Sequence, residues 1–117
     1  MKIYQPASDQ GQLEESNFLE SIGAKILDGD PKSVSRIDYN DTEKGIRSGV
    51  YGVTPGKFEV HYTITELSTI LEGRLRLTDM DGNTSEVGPG DSFLVTTGET
   101  LIWEVMESTK KCFYYCI

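Results

Sequence analysis

Apolar and polar residues alternate along most of the chain beyond residue 30, in short runs separated by Gly, Pro, Asn and Asp. Alternation with a period of two is typical of strands with one buried face, and the turn residues mark strand ends. The pattern predicts strands over residues 33–39, 46–53, 57–63, 66–71, 74–79, 84–87, 92–95, 101–106 and 111–117. Short strands at this spacing predict an all-β fold, an antiparallel sandwich or barrel.

The first 30 residues have a weaker pattern. They contain a short helical candidate at residues 13–19, an apolar stretch at 22–27 and a turn at 28–31. The whole chain has 117 residues, enough for one domain to bury a core. We therefore predict a barrel over residues 31–117, preceded by an N-terminal segment over residues 1–30.

The strand near residue 60 determines which side chains face the interior of the barrel. One of its faces carries Phe58, Val60, Tyr62 and Ile64, and the other carries Lys57, Glu59, His61 and Thr63. Burying a large apolar side chain is favourable by about 1.5–3 kcal/mol. Burying an unpaired carboxylate is opposed by several kcal/mol. The pattern therefore predicts that the even-numbered side chains face inward and that His61 faces outward.

The charge of the chain excludes several classes of partner. Nineteen Asp and Glu against eleven Lys and Arg give a net charge of −8, so the surface repels nucleic acids and anionic lipids. No apolar run follows Lys2, so we expect no signal peptide or membrane span.

On a strand, Cys112 and Cys116 would lie about 13 Å apart, beyond the roughly 7 Å limit for a disulfide. Free thiols indicate a reducing, cytoplasmic location.

Two segments bounded by glycines resemble the two motifs of the cupin superfamily. The first begins at Gly56, reaches Glu66 and continues six residues to Gly73; the second extends from Gly90 to Gly98. In cupins the first motif carries a His-x-His pair and a Glu, and the second ends with a third His. The resemblance covers about residues 28–117 and is to small single-domain cupins related to ureidoglycine aminohydrolase and ethanolamine-utilisation cupins. It implies a double-stranded β-helix, the jelly-roll barrel.

The sequence departs from this pattern at the positions that hold a metal in many cupins. Leu101 stands where the third His is expected, and His61 is the single histidine of the chain. The number of residues between the second His position and Glu66 can be four or three. With four, the longer spacing, Glu59, His61 and Glu66 are the candidate ligands for zinc, manganese or nickel. With the shorter spacing, the His positions fall on residues 60 and 62, and Glu66 alone remains. The predicted strand phase favours the shorter spacing, and therefore no metal.

Five residues are candidates for a binding pocket, namely Tyr51, Tyr62, Glu66, Leu101 and Trp103. Aromatic walls stack flat ligands, and a buried hydroxyl or indole N–H seeks a polar partner. Glu66 either caps a turn or projects into the pocket as a general acid or base. We expect Lys110 and Lys111 to be solvated, although the resemblance places a basic residue near this end of the barrel.

These observations leave three functional hypotheses. The favoured one is a small-molecule-binding cupin of unknown specificity with a degenerate metal site. The alternative is a metal-assisted hydrolase or isomerase, similar to ureidoglycine aminohydrolase, acting on a small polar metabolite. The third is a structural module without a ligand. We also expect a homodimer, because residues 22–27 offer a strand for pairing across a two-fold interface.

Overall fold

The structure is a computed structural model that describes residues 1–5 and 11–117, and these residues are mainly antiparallel β-strands. The strands are β1 (Glu14–Ser16), β2 (Lys25–Gly29), β3 (Ser33–Asp41), β4 (Ile46–Val53), β5 (Gly56–His61), β6 (Thr65–Asp79), β7 (Thr84–Val87), β8 (Ser92–Val95) and β9 (Thr100–Cys116). Within the described ranges one short helix, α1 (Phe18–Ser21), lies between β1 and β2. The predicted all-β fold is confirmed.

The strands form two sheets that share β6 and β9. The first sheet has the order β2-β5-β9-β6-β7, and the second has the order β1-β3-β4-β9-β6-β8. The early part of β9 pairs with β5, and its later part pairs with β4. This curled arrangement is the predicted jelly-roll barrel, and its inner faces enclose one hydrophobic core.

Strands β6 and β9 are each longer than the pattern predicts. Residues 66–71 and 74–79 were expected to be separate strands, as were 101–106 and 111–117, but each pair is continuous. Gly73 lies in the middle of β6 with a φ of +90°, among several shifts of register against β9. A Cβ at this position would collide with the carbonyl oxygen of Ser108 and lie 2.7 Å from Thr109. Gly73 therefore marks a bend between the sheets rather than the end of a strand.

The predicted phase of β5 is confirmed. Phe58, Val60 and Tyr62 are buried in the core, with 1%, 7% and 6% of their surface exposed. His61 is exposed, and its Nδ1 lies 2.9 Å from the hydroxyl of Thr100 on the neighbouring strand.

The N-terminal segment adds an outer strand to each sheet. β1 pairs with β3, and β2 pairs with β5 of the same chain. The predicted helix at 13–19 is wrong, because residues 14–16 form backbone pairs with β3 and the helix begins only at Phe18. Residues 6–10 of this segment lie outside the described part.

Within the described strands, β2 has β5 as its only strand partner. Ile26 and Leu27 on β2 remain 47% and 42% exposed. Pairing of this strand with a second copy stays a prediction. In residues 1–5 and 11–117, no helix is long and apolar enough to cross a membrane.

Candidate functional site

The interior of the barrel holds an ion pair between Lys111 of β9 and Glu66 of β6. The Nζ of Lys111 lies 2.6 Å from Oε1 of Glu66, and both side chains are 6% exposed. Lys111 also donates to the hydroxyl of Ser68 at 2.9 Å, and this hydroxyl donates to the same carboxylate oxygen at 3.2 Å. The prediction that Lys111 is solvated is therefore wrong. Its inward position follows from strand alternation, because the buried residues Thr109 and Phe113 lie two positions away on either side.

Aromatic rings surround the ammonium group of Lys111. The Nζ lies 5.0 Å from the ring centroid of Trp103, 5.7 Å from that of Tyr51, and 5.9 Å from those of Phe93 and Phe113. The negative faces of aromatic rings attract a cation, most strongly where water is excluded. The rings and the carboxylate of Glu66 together offset the cost of removing this ammonium from water.

Two tyrosine hydroxyls complete the polar interior. The indole N–H of Trp103 donates to the hydroxyl of Tyr62 at 3.1 Å. The hydroxyls of Tyr51 and Ser33 lie 2.6 Å apart. Burial, reinforced by the nearby charge of Glu66, raises the pKa of Tyr51 to about 12 and also raises the pKa of Tyr62. Both phenols therefore remain neutral at physiological pH.

Three polar groups of this interior retain unused hydrogen-bonding capacity. Among the described residues, neither Oε2 of Glu66 nor the phenolic hydrogen of Tyr62 has a protein partner. Lys111 uses two of its three N–H donors, on Glu66 and Ser68. No fully buried side-chain oxygen in the described residues lacks a partner, so Oε2 retains accessible surface. These groups can therefore serve a molecule that enters the cavity.

A cavity of about 30 Å³ lies beside these groups. It is lined by Glu66 and Lys111, by the aromatic residues Tyr51, Tyr62 and Trp103, and by residues of the N-terminal segment. This volume admits water, whereas pockets for drug-sized ligands span about 300–1,000 Å³. Phe18 and Ile22 cover the cavity from α1 and its C-cap, and the ring of Phe18 lies edge-on to Tyr51 with their centroids 5.3 Å apart.

The structure brings together most of the residues proposed for the pocket. Tyr51, Tyr62, Glu66 and Trp103 line the same cavity. Leu101 is buried in the core but lines a separate groove of about 370 Å³ between β7 and β8. The residues of the site that the sequence reasoning missed include Phe18, Ile22, Ser33, Ser68 and Lys111. For Ser68 and Lys111, the available signal was that each shares the inward phase of its strand with neighbouring core residues.

The side chains do not fit the metal-ligand set of the cupin motifs. Glu59 and His61 lie on the outward face of β5, away from the buried carboxylate of Glu66. The inward positions of the two His residues hold Val60 and Tyr62, and the phenol of Tyr62 already accepts a hydrogen bond from an indole. Residues 1–5 and 11–117 contain no cluster of three or more His, Cys, Asp or Glu side chains able to hold a metal ion. Glu66 is the sole metal-binding side chain that the inward motif positions supply, and Lys111 occupies one of its oxygens.

The jelly roll and its glycine-bounded motifs define a cupin domain. The profile of the EutQ-like cupin domain family matches residues 41–113, and the chain belongs to this family. No match is found among curated proteins.

Solved structures share the fold. A Pseudomonas syringae protein of unknown function from the DUF861 family superposes with a TM-score of 0.78 at 26% identity, covering 92% of this chain. The chain spans 46% of the length of that protein. Ectoine synthase from P. lautus superposes with a TM-score of 0.66 at 19% identity over 84% of this chain and 74% of its own. The Clostridium difficile EutQ protein superposes with a TM-score of 0.65 at 15% identity, over 83% of this chain and 77% of its own.

Proposed function

We propose that the protein binds a small polar molecule inside the barrel, against Lys111 and Glu66. The buried ion pair is the observation that carries this proposal. Replacing a buried ion pair by apolar residues of similar volume is often neutral or stabilising, so such a pair is weak evidence for a purely structural role. Here its charged groups line a cavity together with hydroxyl and indole groups, which is the usual composition of a ligand site.

Entry of a ligand requires the N-terminal segment to move. Helix α1 has four residues, of which only Leu19 is buried. Phe18 and Ile22 are only partly buried against the core, so this short segment opens at a lower free-energy cost than the core strands. Displacement of Phe18 and Ile22 would enlarge the cavity and expose the ion pair from that side.

The chemistry of the donor set favours this function over the metal-assisted alternative. Of the three ligands proposed for a metal, Glu66 alone faces the interior. Glu66 and Lys111 form a buried ion pair beside the cavity, and proton transfer between this carboxylate and a bound molecule stays a prediction. The third hypothesis, a structural module without a ligand, predicts no saturable response to any small molecule.

A screen of small metabolites by thermal shift tests the proposal, followed by titration of tryptophan fluorescence. The chain has a single tryptophan, Trp103, which lines the cavity, so its emission reports directly on the site. We expect saturable binding that Lys111→Met abolishes. Lys110→Met is the matched control, because Lys110 is the adjacent lysine and pairs with Glu72 outside the cavity.

Two results would contradict the proposal. One is the absence of a saturable shift with any metabolite in a broad library. The other is a saturable ligand whose affinity is equal in the wild-type protein and in Lys111→Met. If Lys111→Met does not fold, the double variant Glu66→Gln/Lys111→Met takes its place, because it leaves no unpaired charge in the barrel.

A further inference from the structure

We infer that the ligand of this site is a small, neutral, planar molecule that presents a hydrogen-bond donor beside an acceptor, as a primary amide does. The inference rests on the proposed function and specifies the chemical class of the ligand. It follows from three properties of the cavity, namely its charge, its unused hydrogen-bonding atoms and its walls.

The charge of the cavity is balanced before any ligand enters. Among the described residues that line it, Lys111 and Glu66 are the charged ones, with opposite signs and 2.6 Å between Nζ and Oε1. A ligand with a net charge would leave one unpaired charge between side chains that are each only 6% exposed, and that state is disfavoured. A neutral ligand preserves the balance. The cavity therefore selects against simple carboxylates and simple amines alike.

The unused atoms form a pattern of one acceptor beside donors. The acceptor is Oε2 of Glu66, and the donors are the remaining N–H of Lys111 and the O–H of Tyr62. A ligand complements this pattern when it donates an N–H or O–H to Glu66 and accepts from the other two groups. The nitrogen and oxygen of a primary amide, which are bonded to the same carbon, provide this arrangement.

The walls of the cavity favour a flat group. Phe58 and Trp103 are stacked, with their ring centroids 5.6 Å apart and an interplanar angle of 22°. Phe18 and Tyr51 form the neighbouring wall. Aromatic surfaces of this kind bind planar groups through dispersion and stacking.

Three molecules of the same shape test the inference, because acetamide, acetate and acetamidinium are planar and differ mainly in charge. Their binding is followed by the ¹H–¹⁵N signal of the Trp103 indole, which donates to Tyr62 and is the only indole in the chain. The titrations are made on the wild-type protein and on Phe18→Ala, in which the aromatic cover of the cavity is removed. We expect acetamide to bind at least about tenfold more tightly than either ion.

Charge-changing variants provide an independent arm of this experiment. Glu66→Gln leaves the ammonium of Lys111 uncompensated, so acetate should become the preferred molecule of the three. Lys111→Met leaves the carboxylate of Glu66, so acetamidinium should become the preferred one. Lys110→Met changes the charge outside the cavity by the same amount and should retain the preference for acetamide.

The outcomes separate this inference from the proposed function. If the wild-type protein prefers acetate or acetamidinium, or if a library ligand that depends on Lys111 carries a net charge, the inference is overturned and the proposed function stands. If none of the three molecules shifts the indole signal in either background, the inference is also overturned. If in addition no library metabolite binds, the proposed function fails with it.

Discussion

Lys110 and Lys111 are neighbours in the chain and each pairs with a glutamate, but the pair of Lys111 is buried and that of Lys110 is partly exposed. The Nζ of Lys111 is 2.6 Å from Glu66 inside the barrel, whereas that of Lys110 is 3.6 Å from Glu72 in a partly exposed pair. Removing one partner of a buried ion pair costs about 3–5 kcal/mol, whereas an exposed pair contributes about 0–1 kcal/mol. We therefore expect Lys111→Met to lower the free energy of unfolding far more than Lys110→Met, as measured by urea denaturation.

The double variant Glu66→Gln/Lys111→Met tests the origin of this difference. Because it removes both charges, it should recover a large part of the stability that Lys111→Met loses. Additive losses in the double variant would show that the two side chains do not act as a pair.

The bend at Gly73 predicts a large effect of a single methyl group. Gly73 and Gly82 both have positive φ, +90° and +86°, so alanine costs about 1–2 kcal/mol at either position. At Gly73 the new Cβ would also collide with Ser108, whereas nothing lies within 4 Å of it at Gly82. We expect Gly73→Ala to be destabilising by a further ~1–3 kcal/mol relative to Gly82→Ala. Equal losses in thermal or urea denaturation would contradict the close approach of β6 and β9.

The raised pKa of Tyr51 predicts a loss of stability in alkali. Below pH 10 its phenol is neutral in both the folded and the unfolded chain, so it contributes no pH dependence. Between pH 10 and about 12 the unfolded chain releases the phenolic proton while the folded chain retains it, so stability falls as pH rises. The fall should reach up to about 3 kcal/mol. In Tyr51→Phe the free energy of unfolding should depend less on pH over this range. An unchanged pH dependence would contradict the raised pKa of Tyr51.

The cover formed by α1 predicts how accessible the single tryptophan is. Trp103 is 2% exposed, and Phe18 covers the cavity that it lines. Phe18→Ala should therefore increase the quenching of tryptophan fluorescence by acrylamide. Ile26→Ala is the control, because Ile26 is 47% exposed on β2 and does not line this cavity. Equal quenching of both variants would place the entrance elsewhere.

The outer strand β2 carries the prediction of a homodimer. Its exposed residues Ile26 and Leu27 lie on a strand that pairs with β5 alone among the described strands. We expect light scattering at micromolar concentration to give the mass of two chains, and Ile26→Lys to reduce it towards one. A wild-type mass of one chain would contradict this prediction.

The sequence was sufficient to predict the fold and the phase of β5, because both depend on local alternation. Phe58, Val60 and Tyr62 are apolar or aromatic at every second position, and a strand with that pattern has one favourable orientation. The pattern placed Gly73 at the end of a motif, between two predicted strands, but its role as a bend depends on Ser108 and Thr109, which are distant in sequence.

The central charge of the site could not be predicted from local pattern. Lysine side chains are rarely buried, so two consecutive lysines in a sequence indicate solvated positions. Lys111 is buried because Glu66 of β6, Tyr51 of β4 and Phe93 of β8 converge on it, and only the three-dimensional fold brings these strands together. The same holds for Phe18, whose position against Tyr51 depends on where β1 and β2 pair.

The sharing of β6 and β9 between both sheets determines how the molecule unfolds. Neither sheet can separate while these strands stay intact, so their central amides should exchange with deuterium only through global unfolding. Strands β1 and β2, which flank α1, pair with β3 and β5 and not with β6 or β9. Native-state hydrogen exchange should therefore divide the chain into one cooperative unit that exchanges slowly and an N-terminal segment that exchanges faster.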